Sequence, residues 1–570
     1  MKSDLAYRIE VARGLKKADL VLRGGSILNV FSGEVYRADV AIAGGRIAGL
    51  GEYRGKKSID VSSRLILPGL IDSHVHLESS MLMPAEFARA ALPHGVTTVV
   101  ADPHEIANVL GKKGIELMLD ATEGLPLDFF FMLPSCVPSS PFETSGAGLT
   151  AGDLGPFLKH RRVLGLAEMM DYPGVLSGRR DVLRKLEAVA GRPIDGHAPA
   201  LGGKDLNAYA GTGISSEHEC ASAAEASEKV RAGMTIFIRE GSAARNLTAI
   251  LPAVTPANSR FFCFATDDLQ PVDLRAGSID RLVKKAIRLG LDAVSAVQMA
   301  TINPARHFGL SGTGAIAPGY RADMIVIDDL KNFTIEKVFK NGVLAASKGR
   351  MTAPLRAHPS RFGRNTVKTG QVGLKDLRLS RRTGRARVIE LIPDEIETRQ
   401  RIMPVIVDSS GQVANERDRG IAKLVVVERH RASGRIGLGL VKGFGFRSGA
   451  IGATVAHDAH NIIVAGMHDE DILAAIQALR RMRGGLVVVK EERILAALPL
   501  PIAGLLSDKP VRIVAKQQAG LARAAARLGI KLSSPFATLS FLALPVVPEL
   551  KLTDRGLVDV QNGKVVELFV

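Results

Sequence analysis

Eight short apolar runs, each followed by a helix-like stretch, fill residues 65–268 and leave the chain very few folds. The runs are LILPGLIDSH, VTTVVADPH, LDFFFMLPS, VLGLAEM, PIDGHA, ISSEHE, MTIFIRE and FFCFATDD. Strand–helix alternation repeated eight times is the pattern of a (β/α)₈ TIM barrel, an α/β fold of roughly 250 residues. The segment SIDRLVKKAIRLG closes the last unit, with Ser278 expected as N-cap and Gly290 as the stop.

The chain has 570 residues, too many for one compact core. The N-terminal flank alternates β-rich runs with Gly-containing turns, and the same texture returns at 319–349. Residues 1–64 and 306–350 are therefore expected to form one small β-sandwich-like domain around a barrel at 65–305. Residues 351–400, rich in Arg, Pro and Gly, read as a linker. It leads into a C-terminal α+β domain, the two together covering 351–570.

The three cysteines, Cys136, Cys220 and Cys263, form no CxxC pair, so a reducing compartment is expected. No apolar run reaches the roughly 18 residues that span a bilayer, and the N-terminus lacks a signal-peptide core. The expected location is the cytoplasm. The formal net charge is +17, but the basic residues are scattered. The densest group, Arg378, Arg381, Arg382, Arg385 and Arg387, reads as a solvated loop or edge. Neither a nucleic-acid nor a membrane partner is expected; a homo-oligomer is.

The placement of polar residues is the functional signal. The runs end in His74-Val75-His76, His104-Glu105, Glu168, His197, His218 and Asp267-Asp268. In a barrel, the C-terminal ends of all strands converge on one face. On a strand, residues two apart point the same way, so His74 and His76 can hold one ion. His197, His218, Glu168 and Asp267 complete six candidate ligands. That exceeds the roughly three or four of a single catalytic zinc and is better met by two ions bridged by Glu168. The nitrogen and oxygen donors suit Mn²⁺, Fe²⁺ or Zn²⁺. By the same alternation, Asp268 is expected to turn away from the site.

These segments resemble the bacterial adenine deaminase family of the amidohydrolase superfamily. The resemblance rests on PGLIDSHVHLESSM, VVADPHEIANVLG, HAPALGGKDLNAYAGTGISSEHE, REGSAARNL, FATDD and VAHDAHNIIVAGMHDED. It implies a bimetallic site active with manganese or iron, and release of ammonia from adenine to leave hypoxanthine. Many barrel amidohydrolases carry a carboxylated Lys where this chain has Glu168, which again resembles the adenine deaminases. A metal pair lowers the pKa of a bridging water, and the expected reaction is attack of that hydroxide on C6.

Asp267 is then the expected proton carrier, with His104 and Glu105 as further proton-transfer candidates. Arg239, Glu240 and Ser242, after the seventh run, are placed for purine contact. His457, Asp458 and His460 are expected to reach over the barrel mouth towards the substrate. The alternatives are a ring-opening enzyme acting on a cyclic amide, a deaminase of another 6-substituted purine, and a non-catalytic barrel scaffold.

Overall fold

The computed structural model describes residues 5–355, 362–379, 383–393, 395–408, 413–414 and 420–570. Its centre is a parallel barrel of eight strands: β1 (Leu70–Val75), β2 (Val96–Ala101), β3 (Asp128–Leu133), β4 (Val163–Met169), β5 (Ile194–Gly196), β6 (Ser216–Glu217), β7 (Thr235–Arg239) and β8 (Phe262–Ala265). Neighbours pair in parallel from β1 to β5 and from β6 to β8. The Ser215 N–H donates to Ile194 O at 2.9 Å, joining β5 to β6. A parallel bridge between Val75 and Asp267 joins β8 back to β1.

Strands β2, β3, β7 and β8 are largely apolar because both faces are covered, while β1, β5 and β6 carry buried polar residues such as Asp72, Asp195 and Glu217. One face fills the barrel: Ile71, Val100, Met132, Ala167, Phe237 and Cys263 pack inside it, against Phe308 and Leu310. The other meets the surrounding helices. One of these, α1 (Ile279–Arg288), ends where Gly290 takes φ +98°, a conformation that glycine adopts without steric cost. Ser278 is at the N-cap, but its hydroxyl makes no cap bond. Instead its N–H donates to Asp280 at 2.7 Å.

The run LILPGLIDSH is two strands rather than one. Gly69 interrupts it, and Leu65–Pro68 leaves the barrel to pair antiparallel with Met324–Ile327 and parallel with Ser26–Leu28. A seven-stranded sheet is thus assembled from both flanks. A four-stranded sheet from residues 20–60 lies against it, and Leu22, Ile27, Ile42, Ile66, Val326 and Phe339 share one core.

The expected linker at 351–400 contains a strand. Thr383–Leu391 pairs with Thr398–Val407 along its whole length, within a nine-stranded C-terminal sheet. Backbone pairing overrides the Arg- and Gly-rich composition that suggested a loop, and Ala386 and Val388 are buried. Arg381 and Arg382 lie outside the described residues. Helix α2 (Asp469–Met482) packs on this sheet, and α3 (Val511–Arg527) and α4 (Pro535–Phe541) follow. Among the described residues, no helix is long and apolar enough to cross a membrane.

Candidate active site

The barrel closes through the backbone of its own polar residues. The Asp267 N–H donates to His74 O at 2.9 Å, and the His76 N–H donates to Asp267 O at 3.1 Å. Two strand ends distant in sequence are thereby laid side by side. The His74 and His76 rings meet edge to face at 4.7 Å, and the His218 ring stacks on His74 at 4.5 Å.

Glu168, next to last in β4, is 3% exposed and divides its carboxylate between two sets of imidazoles. Oε2 lies 2.7 Å from His197 Nδ1 and 3.2 Å from His218 Nε2. Oε1 lies 3.3 Å from His76 Nε2 and 3.8 Å from His74 Nε2. Asp267 Oδ1 joins the second set, 3.2 Å from His76 Nε2 and 3.8 Å from His74 Nε2. The six residues read from the strand ends thus lie in one group.

The group fits divalent ions. His74 Nε2 and His218 Nδ1 are buried without a hydrogen-bond partner, a costly state for a polar atom. His74 Nε2 faces Glu168 and Asp267, and together with His76 Nε2, His197 Nδ1 and His218 Nε2 around the same carboxylates it forms a donor set suited to divalent cations. Thiolates are not among these donors: the three cysteines are buried, and burial raises the pKa of each thiol. Burial opposes charge on these carboxylates, but the surrounding cations prevail. Glu168 is held well below its ordinary range by His197 and His218, and Asp267 by Arg239 and His76.

Arg239 ends β7. Its guanidinium grips Asp267 Oδ2 and donates through Nη2 to Glu219 Oε2 at 2.7 Å. Its neighbours are engaged elsewhere. Glu240 pairs with Lys285 Nζ at 2.6 Å, while the Ser242 hydroxyl donates to Asp273 at 2.6 Å and accepts from the Gln270 N–H at 2.8 Å.

A second polar group adjoins the first. His104 Nδ1 lies 2.8 Å from Asp102 Oδ2 and 3.5 Å from Glu168 Oε1, and its Nε2 lies 3.4 Å from Glu105 Oε1. Glu105 is paired through Oε1 with His457 and through Oε2 with His460, both from the C-terminal domain. Asp458 Oδ1 is 3.8 Å from His104 Nε2. The stretch VAHDAHN therefore meets the barrel mouth as an ionic seam between domains.

Asp268 does not turn away as strand alternation predicts. Strand β8 has ended at Ala265 and Asp267 sits at φ +56°, so the two-residue repeat no longer applies. Asp268 accepts a hydrogen bond from the Ser79 hydroxyl.

Two carboxylates escaped the sequence reading. Glu219 lies 3.4 Å from His218 Nε2 and 3.7 Å from His197 Nδ1. Burial works against its charge, but Arg239 and His197 bring its pKa down to about 2. Asp102 positions His104. The available signal was adjacency: each stands within two residues of a strand-end histidine, in EHE and in DPH.

Residues 65–345 match the amidohydrolase family, and residues 395–564 match the adenine deaminase C-terminal domain. An adenine deaminase of Methanothrix thermoacetophila is 49% identical over 99% of both chains. "Adenine deaminase 2" of Carboxydothermus hydrogenoformans is 49% identical over 98% of both. An adenine deaminase of Geobacillus kaustophilus is 48% identical, over 99% of this chain and 98% of its own.

Proposed function

The chain belongs to the adenine deaminase family, and from that premise we propose that its buried centre hydrolyses adenine to hypoxanthine and ammonia. The division of the Glu168 carboxylate between two imidazole sets carries the proposal, because one bridging carboxylate with separate nitrogen donors on either side suits two ions. His74, His76 and Asp267 would hold one ion, His197 and His218 the other, and Glu168 both. Manganese or iron is the proposed pair, with zinc as the alternative. When bound, such ions supply Lewis acidity that activates water at neutral pH.

The chain's own groups handle the protons. Asp267 accepts a proton as water adds to C6 of the ring, and returns it to the departing amine as the C6–N bond breaks. Arg239 is a positioning residue. Through Asp267 Oδ2 it fixes the carboxylate and leaves Oδ1 on the side of His74 and His76. Asp102 fixes Nδ1 of His104, so Nε2, beside Glu105 and Asp458, is the atom that exchanges a proton with ring N1. His457, Asp458 and His460 form the substrate-side wall. Ser242 lines the approach, and Glu240 supports that loop through Lys285.

Three buried cysteines that form no disulfide among the described residues favour a reducing, cytoplasmic setting. The scattered basic residues favour a small-molecule substrate over a nucleic-acid partner; no membrane partner is proposed, and a homo-oligomer is the proposed assembly. The test is ammonia release from adenine, guanine, adenosine, cytosine and dihydroorotate after manganese reconstitution. Adenine alone should react. Release from dihydroorotate, or none from adenine, overturns the proposal.

A further inference from the structure

A cavity of about 790 Å³ lies between the barrel and the C-terminal domain. Met81, Ser242 and Gln270 wall it on the barrel side, and Leu486, Gln518 and Phe536 on the other. It continues into a constriction of about 30 Å³ that shares Met81, Ser242, Ala243, Gln270, Phe536 and Phe541 with it. The constriction adds Ser79, Asp268 and His457 at its inner end. Asp268 follows the proposed proton carrier, and His457 is paired with Glu105. The cavity and its neck therefore form a path from the domain boundary to the catalytic groups.

Two features decide what such a path admits. The neck, at about 30 Å³, is far smaller than the chamber and has room for a water or two. A purine base is several times larger and passes only if the wall moves. The wall there is aromatic: Phe541, the last residue of α4, lies nearly parallel to the His457 ring, with centroids 4.6 Å apart and planes at 20°. Aromatic faces favour offset stacking on another flat ring. Displacing one stacked ring opens a slot, which fits a planar base but stops a bulky saturated substituent.

We propose that the cavity is the approach chamber for the free purine base and that Phe541 is a specificity-determining residue at its inner door. The base stacks on Phe541 as it passes to the Asp268 and His457 side, and the ribose of a nucleoside is held back at the neck. Discrimination thus precedes the chemical step and resides in the C-terminal domain. This rests on the adenine deaminase reading. Ammonia release from adenine by the unmodified chain tests that reading separately and comes first.

The experiment compares kcat/KM for adenine and adenosine at matched metal content. Ala243→Trp fills the passage where chamber and neck meet. It should lower kcat/KM for adenine by at least about tenfold while kcat falls less. Should that variant fail to fold, Thr538→Trp obstructs the same chamber from α4. Phe541→Leu should raise the adenosine-to-adenine ratio of kcat/KM by about tenfold or more. A folded, metal-replete plugging variant with unchanged kcat/KM for adenine overturns the chamber as the route. An unchanged ratio in Phe541→Leu overturns the door.

Discussion

Glu105, in the first turn of the helix (His104–Leu110) that follows the second barrel strand, is paired with His457, which lies 352 residues further along the chain. Both groups are buried, and the same carboxylate takes His460 through its other oxygen. The C-terminal domain thus completes the polar mouth of the barrel. Glu105→Gln and His457→Asn should each lower kcat, by roughly 10²-fold, a typical contribution of a proton-transfer group. The double variant should lose little more than either single one, since the residues act as a pair. Metal content should stay at that of the unmodified chain. Additive losses in steady-state kinetics would show that the two act independently.

Glu168→Gln should keep the fold and weaken metal retention, because a neutral amide offsets less of two divalent charges. Elemental analysis should find about two ions per unmodified chain and fewer in the variant. Chelation should abolish activity, and Mn²⁺ or Fe²⁺ should restore it. Full metal content and activity in Glu168→Gln would remove it as the bridge.

Asp267→Asn should lower kcat by at least roughly 10²-fold at matched metal content, since an amide cannot take up or return the proton. Asp268→Asn should act mainly on KM, because Asp268 stands at the neck with Ser79 and His457. Measuring kcat and KM for both variants separates the roles. A dead Asp268→Asn beside a normal Asp267→Asn would exchange them.

His94 and Asp280 form a pH-dependent tie outside the site. Burial opposes charge on His94, but Asp280, 3.2 Å from Nδ1, prevails and raises its pKa above the ordinary 6.5. A raised histidine pKa contributes stability that is full below the unfolded value and is lost as pH rises through the folded one. Asp280→Asn keeps an acceptor for the Ser278 N–H and should cost about 1 kcal/mol near pH 5.5. It should cost much less near pH 9. Urea unfolding at both pH values checks this, and an equal loss at both would sever the link to His94.

Features carried by local pattern were legible in the sequence. Eight short runs alternating with helix-like stretches specified the barrel, because strand–helix repetition is the rhythm of a parallel sheet closed by crossover helices. Histidines and carboxylates at the ends of those runs specified the centre, because strand ends share one face. The joint flanking sheet was legible from its repeated texture, and the Gly290 stop from the need for a left-handed residue. What depended on which chain segments meet was not legible. Glu219 and Asp102 looked like ordinary polar neighbours until the fold set Arg239 and His104 beside them. The strand at Thr383–Leu391 was hidden in a loop-like composition because its stabilisation comes from partners elsewhere in the sheet. The direction of Asp268 was misjudged because alternation is a property of strands and the strand had ended. The seam between Glu105, His457 and His460, and the chamber beside it, exist only where two domains touch. Sequence order places chemical groups along a line, and only packing decides which of them share a volume.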